Sequence, residues 1–146
     1  MNISYTRATE KEYRQFCKCF PFSCVDLIIF QNDAVLLTKR TRKPFKGKWH
    51  LPGSMIRKNE RMKDAIQRTA KEELNLYVKI EEFLGVYESL DSFRHDLSHA
   101  FIISILSGKI KPDFQSSDLK FFKKIPSNVI PYHHKMIQDA KTLHIK

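Results

Sequence analysis

Gly53 to Leu76 reads GSMIRKNERMKDAIQRTAKEELNL. The run after Asn59 has helical periodicity, so a helix is expected from about Glu60 to Leu74 with Asn59 as its cap. At roughly 100° per residue with Met62 at zero, Ile66 falls near 40°, Ala70 near 80° and Thr69 near 340°, which defines an apolar stripe. Glu73 falls at roughly 20°, in the middle of that stripe. A carboxylate aimed at a core is costly unless it is paired or bound to a cation. Glu72 lies at roughly 280°, on the stripe's edge, and Arg68 stands four residues before it, within ion-pair reach. Two adjacent carboxylates beside a buried face suit a hard divalent cation, Mg²⁺ or Mn²⁺. Taken alone, the helix also admits a plainer reading: one Glu tolerated at a fraying end beside a Lys.

Outward from this helix the chain alternates strand and helix signals. Residues 9–18 suggest a short helix, with Thr9 as N-cap and Glu12 three residues on. Ser23 to Phe30 and Ala34 to Thr38 read as strands joined by the turn Gln31-Asn32-Asp33. Tyr77 to Tyr87, His99 to Leu106 and Lys120 to Ile125 read as further strands. Pro131 opens a last helix through about Leu143. Strands on both sides of one central helix predict an α+β fold, a mixed sheet with helices on its faces. There is no repeat and no linker, so residues 1–146 are expected to form one domain.

The chain has 146 residues and a net charge of +10. No apolar run approaches the roughly 20 residues a membrane helix needs. The polar N-terminus lacks the apolar stretch of a signal peptide. Cys17, Cys19 and Cys24 form no disulfide framework and no zinc spacing, which points to a reducing, cytoplasmic setting. The densest cationic run, Lys39 to Lys48, reads either as a solvated loop or as a phosphate-facing rim. No aromatic-rich RNA-binding motif accompanies the charge, so a nucleic-acid partner is not expected.

The stretch 53–76 resembles the Nudix box, G-x5-E-x7-R-E-U-x-E-E-x-G-U, with U a bulky apolar residue. Glu60, Arg68, Glu72, Glu73 and Leu76 fall on its positions. Ser54 stands at the box Gly, though Gly53 keeps the preceding one. Thr69 replaces the Glu after Arg, and Asn75 replaces the later Gly. The resemblance implies a Nudix-type α/β/α sandwich, a Mg²⁺- or Mn²⁺-dependent hydrolase, and a nucleoside diphosphate derivative as substrate.

Within that family the chain looks most like the GDP-mannose mannosyl hydrolase branch. Glu12-Tyr13 through Pro21-Phe22-Ser23-Cys24-Val25-Asp26 is similar to the branch's first helix and strand. Lys39-Arg40-Thr41, Pro44, Gly47, Trp49 and Pro52-Gly53 match its K-R-T-x-x-P-x-x-G-x-W-x-x-P-G. The resemblance implies that Arg40, with Lys39 or Arg42 nearby, clamps the diphosphate, and that Asp26 helps hold substrate. It implies metal donors at Glu73, at the Gly53 carbonyl and at Gln115, with Glu72 beside them. It also implies a homodimer built on the N-terminal segment, residues 1–22.

The departures shape the chemistry. The branch has a His base directly after the Gln, and here the residue is Ser116. An Arg after its Gly pair is replaced by Met55. Glu72, absent from the branch, restores the ordinary Nudix pair. Attack on diphosphate phosphorus is therefore the favoured reaction, with Glu72 as first candidate for the base and Arg68 orienting it. Attack on sugar C1 is the alternative, with His95 or His99 as base. A catalytically weak nucleotide-binding module is a third reading. Trp49 and Tyr87 are read as core residues rather than base-stacking ones, and His133 and His134 as surface residues.

Overall fold

A strand that is apolar on both faces needs a covering layer on each side. Such a strand organises this protein. The computed structural model describes residues 5–41, 45–91, 93–110 and 116–144. Their elements are α1 (Glu10–Cys19), β1 (Phe22–Gln31), β2 (Ala34–Arg40), β3 (Trp49–His50), β4 (Gly53–Met55), α2 (Met62–Thr69), β5 (Leu76–Leu90), β6 (His95–Gly108), β7 (Ser116–Phe122) and α3 (Pro131–His144). A π-helical turn, Ala70–Leu74, extends α2.

β1 is buried from Cys24 to Ile29. Its Val25, Leu27 and Ile29 face α2 and the π turn, packing with Ala65, Ile66, Ala70 and Leu74. Its Ile28 faces α3 and joins Met136, Ile137 and Ala140. The period-2 alternation of one strand thus builds both cores of an α/β/α sandwich. The sheet is mixed, as expected. β1 runs parallel to β6, from Phe22 opposite Asp96 to Ile29 opposite Ile103. It runs antiparallel to β4, with Asp26 opposite Gly53. β5 pairs antiparallel with β6. β2 leaves β1 through a tight turn in which Asn32 and Asp33 both have positive φ, at 50° and 65°. It then pairs with β3 and β7. The short strands β3 and β4 have too few residues to show a sequence pattern.

Thr9 caps α1 as expected, with Glu12 closing the reciprocal box. Asn59 does not cap α2. It takes a left-handed conformation at φ 66°. The helix starts two residues later than expected, after Arg61, because Glu60 is held in the preceding turn by the Arg57 N–H. At its far end the π turn is closed by Asn75 at φ 59°. The Asn75 side chain donates to the Lys109 carbonyl at 3.1 Å and accepts from Lys71. Gly108 passes so close that a Cβ there would meet the Asn75 carbonyl oxygen at 2.5 Å. Asn75 therefore sets the end of the segment that carries Glu72 and Glu73. Asn75→Ala is expected to lose about 1–2 kcal/mol from left-handed strain. Asn75→Gly should lose less, and urea unfolding of the two variants measures the difference.

Candidate active site

Gly53 begins β4 against the buried Asp26. A Cβ at position 53 would collide with Asp26 Oδ1 and would lie 2.6 Å from the Val25 carbonyl. Only Gly allows this approach. The Gly53 N–H then reaches the far side and donates to Glu73 Oε2 at 3.2 Å. The structure thus brings together Gly53, Glu73 and Asp26, which lie far apart in sequence. The π turn contributes to this placement, because its wider winding sets the last carboxylates of the helix apart from an α-helical register.

Arg68 braces the same corner. Its Nε and one terminal nitrogen grip both oxygens of Glu60 at 2.7 and 2.9 Å. The same nitrogen donates to the Met55 carbonyl at 3.0 Å, tying α2 to β4. Its remaining nitrogen reaches Glu72 Oε2 at 3.3 Å. Hydrogen bonding to Glu60 is the main cause that holds the Arg68 pKa above its ordinary value. Burial pushes the Glu60 carboxyl up, but bonds from Arg68 and the Arg57 N–H outweigh it, and the net shift is down. Arg68 thus touches Glu72, but its main partner is Glu60. Glu72 is half exposed, at 53%, and also faces Arg57 at 3.6 Å.

Ser54 and Thr69, two residues that depart from the box, touch each other through their hydroxyls. Thr69 donates to the Ala65 carbonyl at 2.6 Å, so its single proton is committed and Ser54 must donate to Thr69.

Arg40 is half-buried at the end of β2. Burial lowers its pKa first, and the neighbouring Arg94 charge adds to this, while Tyr13, Glu73 and Tyr132 oppose it. Arg40 thus lies within electrostatic reach of Glu73. The Lys39 ammonium stands over the Trp49 ring, 5.8 Å from its centre. The β2–β7 register shifts between Thr38 and Arg40, so simple alternation does not set the relative direction of these two side chains. Arg94 is locked bidentately to Asp96 at 2.7 and 2.8 Å and donates to the Tyr13 hydroxyl of α1.

His133 overturns its reading as a surface residue. It is 3% exposed. Its Nδ1 accepts the Leu51 N–H at 2.9 Å, and its Nε2 faces Asp26 Oδ1 at 3.7 Å. The signal was present in the spacing: 133, 136, 137 and 140 form one helical stripe, and the last three are Met, Ile and Ala. His99 donates from Nδ1 to the Cys24 carbonyl, 2.9 Å away, because a carbonyl only accepts. Trp49 and Tyr87 are packed in the α3-side core, as expected. Gln115 lies outside the described residues, and so do Arg42 and Pro44.

The family model for the NUDIX domain matches residues 21–142. The chain belongs to the Nudix family. It is 35% identical over 136 residues to the low-salt glycan biosynthesis protein Agl8 of Haloferax volcanii, covering 87% of this chain and 86% of that one. It is also 35% identical over 133 residues to the ADP-ribose pyrophosphatase of Methanocaldococcus jannaschii, covering 88% and 77%. Among solved structures, the NUDIX domain of Shewanella oneidensis NrtR complexed with ADP ribose superposes with a TM-score of 0.70 at 23% identity, over 94% of this chain and 99% of that one. The chain is accordingly a Nudix hydrolase with the Nudix fold.

Nudix hydrolases generally use divalent metals, and the donors here are oxygens, which suit a hard cation. Glu73 and Gly53 already meet through one hydrogen bond. Among the described residues no three His, Cys, Asp or Glu side chains gather at one point.

Asp26 Oδ2, Ser98 Oγ and His133 Nε2 are buried with no hydrogen-bond partner of good geometry among the described residues. Burial, reinforced by the Asp96 charge, pushes the Asp26 carboxyl up to about 7, against opposition from Ser98 and Arg94. Folding therefore favours its neutral form. That contribution is present in full below about pH 4 and is lost as pH rises toward about 7. Asp26→Asn cannot titrate. In metal-free protein its unfolding free energy should gain on wild type across that window, as measured by urea unfolding at stepped pH.

Proposed function

We propose that this Nudix hydrolase acts on a nucleoside diphosphate linked to a second group, a nucleotide sugar or a similar compound such as ADP-ribose, by attack on diphosphate phosphorus. The observation that carries this reading is the meeting of Glu73 with Gly53, beside Glu72. The 35% relative named as an ADP-ribose pyrophosphatase supports the same class. Glu73, the Gly53 carbonyl, Glu72 and Gln115 are the donors for Mg²⁺ or Mn²⁺. When bound, such a cation neutralises diphosphate charge and makes water a stronger nucleophile.

The chain's own residues do the rest. Arg40 pairs with phosphate oxygens, for which a planar guanidinium is suited. Asp26 helps hold substrate, the role that the resemblance to the GDP-mannose mannosyl hydrolase branch gives it, from beside Gly53. Glu72, the more exposed of the two carboxylates, takes the proton of the attacking water. Arg68 positions it from the Glu60 brace. Thr69 takes no part as a base, since an alkyl hydroxyl is a weak base and its oxygen already accepts from Ser54.

The whole chain, residues 1–146, is read as one Nudix domain with residues 1–22 as an added helical segment, in a cytoplasmic setting that suits three free thiols. No helix among the described residues is long and apolar enough to cross a membrane. A homodimer through α1 fits the absence of any buried residue on that helix and the exposure of Phe16 and Phe20, at 42% and 58%. Sedimentation at micromolar concentration should give a dimer, and a monomer would remove this part of the proposal.

Attack on sugar C1 is the second reading. It rests on the resemblance of Lys39-Arg40-Thr41 to the K-R-T of the GDP-mannose mannosyl hydrolase branch. A screen of nucleoside diphosphate sugars, ADP-ribose, dinucleoside polyphosphates and nucleoside triphosphates with Mg²⁺ or Mn²⁺ finds the substrate. Glu73→Gln should lower metal-dependent turnover by about 100-fold or more. In ¹⁸O-water the label should enter a phosphate product. Label on the sugar hydroxyl alone would transfer the assignment to C1 attack, and no turnover of any compound would favour a binding module.

A further inference from the structure

The backbone of Leu51 is held from both sides by imidazoles. Its N–H donates to His133 Nδ1 at 2.9 Å. Its carbonyl lies 2.7 Å from His50 Nδ1. A carbonyl only accepts, so His50 carries its proton on Nδ1. An N–H only donates, so His133 has no proton there, and its neutral ring carries the proton on Nε2, toward Asp26. The two rings meet edge to face, 6.2 Å between centres. The same short run is fixed further. Ile130 N–H donates to the Trp49 carbonyl at 2.9 Å, and Leu27 N–H donates to the Pro52 carbonyl at 2.8 Å. Pro52 itself has a fixed φ. The next residue is Gly53, whose N–H meets Glu73.

We propose that His133 is a positioning residue of the hydrolase site: by accepting the Leu51 N–H it fixes Leu51-Pro52-Gly53, and so sets the Gly53 peptide against Glu73. This rests on the reading of Gly53 and Glu73 as metal donors. It assigns α3 a part in the chemistry although no residue of α3 belongs to the Nudix box. His133 sits 82 positions from its partner. Its ring is held among Tyr132 and His50 and cannot turn without leaving the Leu51 N–H orphaned in the core.

The test separates the two ring nitrogens. His133→Asn puts an amide oxygen near the place of Nδ1 and keeps an acceptor for Leu51. His133→Gln puts its amide near Nε2, keeps a group facing Asp26 and loses the Leu51 acceptor. Mn²⁺ binding is read by the loss of the free-ion electron paramagnetic resonance signal, with no substrate present. Turnover is read on the substrate found in the screen, and thermal unfolding checks that each variant is folded. His133→Asn should keep Mn²⁺ affinity and kcat within about threefold. His133→Gln should lose about 10-fold or more in both, with KM changed far less. Equal behaviour of the two variants, or a loss confined to Asn, overturns the proposal. Glu73→Gln is the control. If it binds Mn²⁺ like wild type, the metal reading has failed; if it loses Mn²⁺ while His133→Gln does not, only the role of His133 has failed.

Discussion

The close approach of the Gly53 backbone to the Asp26 carboxylate is the constraint on which the rest of the structure depends. β4 can lie beside β1 only because position 53 has no Cβ. Once it lies there, the next residues are fixed by pairing: Ser54 opposite Val25 and Met55 opposite Cys24. Ser54 then meets Thr69, and the Met55 carbonyl meets Arg68. The helix is thereby docked in one rotation and one height. That rotation buries Ile66 and Ala70 and leaves Glu73 at the Gly53 N–H. A buried carboxylate, an absent methyl and a helix register are one arrangement rather than three.

Much of this was legible in the sequence because its signals are local. The strands on either side of Gln31-Asn32-Asp33 follow from apolar runs flanking turn residues, and the stripe of Ile66 and Ala70 follows from a 3.6-residue repeat, whereas the π turn that carries Glu73 has no such signature. The Thr9 cap was legible because its Glu12 partner is three residues away. What was not legible depends on contacts across the fold. Asn59 has the composition of a cap, but its neighbour Glu60 is claimed by Arg57 and Arg68, and the helix starts later. Lys39 and Arg40 are neighbours in sequence, yet Lys39 stands over the Trp49 ring while Arg40 is half-buried at the end of β2, a difference made across the fold. His133 was misread although its spacing with Met136, Ile137 and Ala140 marked it as inward-facing, because a His pair after Pro131 suggests a helix end in water. The mutual contact of Ser54 and Thr69 has no local signature at all.

The charge of the chain says less about the site than its size suggests. The net charge is +10. Two of the arginines nearest the candidate site are bound to carboxylates, Arg68 to Glu60 and Arg94 to Asp96. They act as struts between elements: Arg68 joins α2 to β4, and Arg94 joins the start of β6 to α1 through Tyr13. Their positive charge is largely matched in place. Composition counts them as anion-binding potential, whereas the fold uses them to hold its corners.

The paired imidazoles around Leu51 also bear on motion. Rotating the His50–Leu51 peptide plane would turn a carbonyl oxygen toward the bare Nδ1 of His133, acceptor against acceptor. Rotating the Leu51–Pro52 plane would take the carbonyl from the His50 donor and offer in its place a proline nitrogen with no hydrogen. Neither half-turn finds a substitute bond, and the first occurs beside a fully buried ring. The loop is therefore keyed: its amide planes have one seated orientation.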